Sequence, residues 1–297
     1  MRLSRRSFVQ TTAFAAAALR SGFSSPIKRT VGFSTLGCPA WDWPKILDFA
    51  HAHDFSAIEL RGLQGTMDLP ARPEFQPGRI AQSKNEVAAK GLKIACVSSS
   101  AQLHDADPDK HKQQIADAKR FIDLASALGA PNVRVFGNKI EGPKEQIVDR
   151  VAAGLRELGA YSGDHGVTVI IESHGDFTDS PTLSDILTRA DSPHVGLLWD
   201  AHHTFVDGKE VPAFTVQKLG KYIRHTHLKD SVPTADGQRH YVLTGRGDVP
   251  VRKQVEVLTD YGYTGCFTFE WEKVWHPDLE EPEIAIADYA EFMKKIP

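Results

Sequence analysis

Glu172, Asp200, His227 and Glu270 each close a short apolar run: Ile170-Ile171-Glu172, Leu198-Trp199-Asp200, His225-Thr226-His227 and Thr268-Phe269-Glu270. The first three follow one another at intervals of 28 and 27 residues, and the fourth after 43, with the surplus between Lys229 and Pro250. Three carboxylates and an imidazole brought to one point would repel one another and lose hydration unless a cation lay between them. One divalent metal ion resolves that conflict. The oxygen-rich set suits Mn²⁺ first, with Co²⁺, Mg²⁺ and Zn²⁺ as alternatives, over a thiolate-seeking metal. A lone Glu after a strand is as readily a helix cap or a salt-bridge partner; four in register on successive strands are a stronger signal.

The elements that must position these residues alternate in period. Strand patterns occupy Val31–Ser34, Ala57–Leu60, Leu92–Val97, Val133–Phe136, Val167–Ile171, His194–Trp199, Tyr222–His227 and Cys266–Phe269. Helical patterns occupy Trp43–His53, Ile80–Lys90, Pro108–Leu128, Lys144–Asp164, Thr182–Arg189, Pro212–Leu219, Val251–Tyr261 and Glu283–Lys294. Val167-Thr168-Val169-Ile170-Ile171 reads as a strand buried on both faces. About eight βα units predict a single-domain α/β (β/α)₈ barrel over residues 29–297, with its active face at the carboxyl ends of the strands. An open doubly wound sheet is disfavoured, because no G-x-G-x-x-G follows the first strand.

Ile171-Glu172-Ser173-His174, Asp200-Ala201-His202-His203, His225-Thr226-His227-Leu228-Lys229-Asp230 and Phe269-Glu270-Trp271-Glu272 resemble the xylose-isomerase-like TIM barrels, a superfamily of sugar isomerases, sugar epimerases and endonuclease IV. The similarity runs from about Thr30 to the C-terminus. The resemblance implies that the Glu, Asp, His, Glu set binds the metal and that His203 contacts a substrate oxygen. By likeness to the ketose epimerases, Glu172 and Glu270 would also be an acid–base pair. One would remove the proton beside a metal-bound carbonyl, giving an enediolate, and the other would return a proton to the opposite face. Those epimerases carry an Arg shortly after the ligand His; here Lys229-Asp230-Ser231 follows, and the next basic residues are Arg239 and Arg246.

Other substrate-binding candidates come from the residues themselves. Glu59 ends the second strand, with Arg61 just beyond, and a plain structural pair is the equal alternative. His104 lies on the loop after the third strand, Lys229 follows the ligand His, and Trp41 stands near the end of the first strand, where core packing is its default role. Arg134, inside strand four, is expected to pair with an inward carboxylate.

A net charge of −3 and the lack of any basic stripe speak against a nucleic-acid partner. Three cysteines without a CxxC pair read as buried thiols. Residues 1–28 have the layout of a twin-arginine signal peptide: Ser4-Arg5-Arg6-Ser7-Phe8-Val9-Gln10, then the apolar run Thr11–Leu19, too short for a stable membrane anchor. Export to the periplasm is the expectation, and a homo-oligomer is left open. The first functional expectation is a metal-dependent sugar isomerase or epimerase with a small carbohydrate substrate. The alternatives are a lyase that eliminates a β-substituent from 3-keto-glycosides, and a non-catalytic sugar-binding barrel with a structural metal.

Overall fold

The computed structural model describes residues 29–297, so the twin-arginine segment lies outside the described residues. Strands β1 (Thr30–Ser34), β2 (Ala57–Leu60), β3 (Lys93–Gln102), β4 (Asn132–Asn138), β5 (Thr168–Gly175), β6 (Val195–Asp200), β7 (Ile223–Leu228) and β10 (Cys266–Phe269) close into one parallel barrel. Between them run α1 (Trp43–Ala52), α2 (Ile80–Ala89), α3 (Pro108–Leu128), α4 (Lys144–Gly163), α5 (Ser180–Ala190), α6 (Ala201–Val206), α7 (Pro212–Leu219) and α8 (Val251–Asp260), and α9 (Pro282–Lys294) ends the chain. A hairpin of β8 (Asp230–Pro233) and β9 (Arg239–Val242) rises from the rim after β7. The expected single-domain barrel is the fold observed.

Local chemistry sets the helix boundaries. Asp107 caps α3 by accepting from the Asp109 and Lys110 amides at 3.0 and 3.3 Å, Pro108 stands in its first turn, and Gly129 ends it at φ 75°. The outward strand residues and the inner helix faces form the main core, where Ile46, Phe121, Val151 and Leu183 are buried. Inside the barrel the apolar filling is thin: Cys96, Ile170 and Leu198 form one small layer and Ala57, Ala95 and Cys266 another. Above them the interior turns polar, and that is where the candidate site begins. All three cysteines are buried and free. No described helix is long and apolar enough to cross a membrane.

Candidate functional site

Barrel register brings the four strand-end residues to one rim. Asp200 on β6 pairs directly with His227 on β7, His227 with Thr268 on β10, and Glu172 on β5 with Leu198 on β6. All four residues are buried, at no more than 5% exposure. One ligand atom from each lies within 4.8 Å of the others. His227 Nδ1 is 3.1 Å from Glu270 Oε1, 3.5 Å from Glu172 Oε1 and 3.9 Å from Asp200 Oδ2. Donor atoms around an ion with bonds of about 2.1 Å stand roughly 3 to 4 Å apart, so the spacing suits a divalent cation.

Each donor is aimed by a second contact. Asp200 Oδ1 caps α6, accepting from the His202 and His203 amides at 3.0 Å, which leaves Oδ2 for the cluster. His227 Nε2 meets Glu59 Oε2 at 2.7 Å, which turns Nδ1 toward the carboxylates. Among the described residues that Nδ1 has no well-angled hydrogen-bond partner, and neither has Glu172 Oε2, although Arg134 Nη1 lies 3.2 Å from it. Two buried polar atoms short of partners and a surplus of carboxylates are what a bound cation would satisfy. Arg134, fully buried with its guanidinium 3.8 Å from the Phe136 ring centre, makes the inward carboxylate pairing expected of it.

The electrostatics follow from crowding. Burial alone would strip the proton from His227, but Glu270, Glu59 and Glu172 outweigh it and hold the imidazole well above its usual range. Burial likewise pushes Glu172 upward, yet Arg134 and His227 bring it down to about 2. Lys229 is buried against its ammonium preference, and Asp200, Glu270 and Glu272 keep it charged. Its Nζ is 2.7 Å from Asp200 Oδ2 and 2.8 Å from Glu272 Oε1, and it also bonds Glu270 Oε2.

The other expected substrate contacts separate. His203 lies at the rim, with Nε2 3.3 Å from Asp200 Oδ2 and Nδ1 3.2 Å from Asp207. Lys229 sits within the cluster itself. Glu59 lies below it: Oε1 accepts from Ser34 and Ser98 at 3.2 and 3.0 Å, and Oε2 takes both His225 and His227 at 2.7 Å. All of its polar capacity is used by protein, and Arg61 turns instead to Ser100 Oγ at 2.8 Å. Trp41 is buried against Phe49 at 4.7 Å, under the Lys45 ammonium. His104 accepts from Arg150 through its carbonyl at 2.7 Å, and no hydrogen bond joins it to the four central residues. Three neighbours were not singled out from sequence: Glu272, Tyr241 and His174. Glu272 and His174 each stand two positions beyond a site glutamate, which is the period that returns a side chain to the same face. Tyr241 is on the hairpin, where no such local signal exists.

A sequence profile described as Xylose isomerase-like TIM barrel matches residues 47–296. A fructoselysine 3-epimerase of Shigella flexneri is 29% identical over 185 residues, covering 60% of this chain and 64% of that protein. An inosose dehydratase of Bacillus cereus (strain AH820) is 27% identical over 173 residues, covering 53% and 57%. Each match thus spans less than two thirds of the relative's length. Among solved structures, the IOLI protein with a binding zinc atom superposes with a TM-score of 0.75 at 17% identity, over 90% of this chain and 97% of that one.

Proposed function

We propose, from the premise that the chain belongs to the xylose isomerase-like TIM barrel family, that it is a metal-dependent sugar isomerase or epimerase that moves a proton beside a carbonyl. The observation that carries this reading is the placement of two glutamates around one imidazole nitrogen. Glu172 and Glu270 lie 3.5 and 3.1 Å from His227 Nδ1, on strands separated by β6 and β7, so they approach the cluster from opposite sides. A divalent cation held by Glu172, Asp200, His227 and Glu270 would draw electron density from a substrate carbonyl and acidify the adjacent C–H; Mn²⁺ is our first choice.

Glu172, kept ionised by Arg134, is the base that removes the α-proton. Glu270, hydrogen-bonded to the Lys229 ammonium, serves the opposite face and returns a proton there. His203 and Lys229 orient the substrate oxygens. Burial of these side chains lowers the local dielectric and strengthens each of these contacts.

A lyase is the second reading, supported by the inosose dehydratase among the relatives. It uses the same abstraction, after which a β-substituent leaves and a C=C bond forms instead of the proton returning. A non-catalytic barrel has no need of a glutamate on each side. The test is incubation of the Mn²⁺-loaded protein with keto-sugars in deuterated water. Solvent deuterium at the α-carbon with a stereoisomeric product is expected, release of the substituent would favour the lyase, and no exchange would sink both. Glu270→Gln should abolish turnover while circular dichroism stays unchanged; an active variant removes Glu270 from the mechanism.

A further inference from the structure

The rim opens sideways into a groove of about 670 Å³ between α6 and the β8–β9 hairpin, lined by His202, His203, Phe205, Gln238, Tyr241 and His276 among others. It begins at the carboxylate cluster. His203 touches Asp200, the Tyr241 ring centre lies 5.8 Å from Lys229 Nζ, and the Tyr241 hydroxyl donates to Glu272 Oε1 at 2.9 Å. A single small sugar held at the cluster would leave this groove empty, yet its volume is that of a site for a substantial organic group.

The lining defines what that group is. Asp207 is paired with His203 at 3.2 Å, and Arg239 is clasped to Asp248 and to Ser231. Among the described residues of the lining, the one further cation, Lys209, is exposed at the edge and bonds the Val206 carbonyl. A phosphate or carboxylate would therefore meet no buried, uncommitted positive charge among them. The groove is lined instead by the rings of Tyr241 and His276, packed edge to face at 5.4 Å, and by the exposed Gln238 amide. His202 lines the groove as well, its Nε2 committed to Ser231 Oγ at 2.7 Å. Aromatic faces for C–H surfaces beside neutral hydrogen-bonding groups are the chemistry that receives a carbohydrate ring.

We infer that this groove is a subsite for a neutral second sugar ring, so that the substrate is a keto-glycoside whose carbonyl-bearing ring lies at the cluster and whose linked ring lies between Tyr241, His276 and Gln238. The substrate class rests on the reaction proposed above; the groove's ligand does not, and binding can be measured without turnover.

The test is calorimetry on the Mn²⁺-loaded protein with methyl β-cellobioside, methyl α-maltoside and trehalose against methyl β-glucoside, none of which carries a carbonyl to react. At least one disaccharide should bind about tenfold or more tighter than the monosaccharide. Gln238→Ala, which removes a neutral hydrogen-bonding group from the groove without touching the cluster, should cut that preference severalfold and leave monosaccharide affinity and Tm unchanged. Equal affinities in the native chain, or a preference that Gln238→Ala leaves undiminished, would overturn the subsite. Disaccharide preference without α-carbon exchange on any keto-sugar would instead remove the reaction and keep the subsite.

Discussion

His227 is held between two kinds of partner: Glu59 at Nε2 and the carboxylate cluster at Nδ1. The Glu59 contact selects which nitrogen faces the cation, so its loss should be felt at the metal although Glu59 never touches it. Glu59→Gln is expected to weaken Mn²⁺ binding about 10- to 100-fold, by competition with a chelating dye, with the fold retained. An unchanged affinity would show that the ring is aimed by other means. The charge on His227 gives a second expectation. Its pKa is raised well above 6.5, so at pH 7 the metal-free imidazole carries a proton that a cation must displace. Metal binding should release about one proton at pH 7, and affinity should rise as pH increases. Calorimetry in buffers of different ionisation enthalpy reads this directly, and no buffer dependence would contradict it.

At the scale of elements, the surplus between β7 and β10 is the β8–β9 hairpin and the segment that anchors it. Asp230 organises that segment: Oδ2 accepts from the Gly245 and Gly247 amides at 2.9 Å, and Oδ1 from Ser231 and Val249 at 2.8 and 3.1 Å. A Cβ on Gly247 would collide with the Asp230 carboxylate and the Ser231 carbonyl, whereas one on Gly78 meets nothing within 4 Å. Gly247→Ala should therefore cost about 1–3 kcal/mol and lower Tm, while Gly78→Ala leaves Tm nearly unchanged. Equal melting of the two variants would mean that this close approach is not strained. Sequence patterns locate every barrel strand but stop β3 at Val97 and β5 at Ile171, whereas the structure carries them to Gln102 and Gly175, so that Glu172 lies within β5 and not at its end. The reason is chemical. Ser98 looks like a loop residue, yet it faces a polar barrel interior and donates to Glu59. The hairpin escapes sequence patterning because neither strand is long or apolar, although Asp236-Gly237, with Gly237 at φ 82°, is a turn signal between them.

For the whole molecule, closure of the barrel is what turns separate strand ends into a site. β1 pairs with β10 as well as β2, so residues near the start and the end of the chain line one interior. The twin-arginine segment belongs to this scale too, and we propose that it exports the chain to the periplasm in a folded state. A C-terminally tagged chain should appear in the periplasmic fraction, and replacing Arg5 and Arg6 with Lys should retain it in the cytoplasm. Equal distribution of both forms would refute the export route.

What the sequence determined by itself was local: apolar runs of strand length, amphipathic helices between them, and the carboxylates and imidazole that end four late strands. Those features are legible because strand and helix periods, and the position of a residue at a strand end, depend only on neighbours in the chain. Tertiary structure alone decided which side chains meet across the barrel. Glu59 supports His227 from 168 residues away, Lys229 turns into the cluster to bind Glu270 and Glu272, and Trp41 and His104 make their contacts elsewhere. Such contacts follow from the register in which the sheet closes and the rotamers its interior leaves room for, and neither is written in any short stretch of residues.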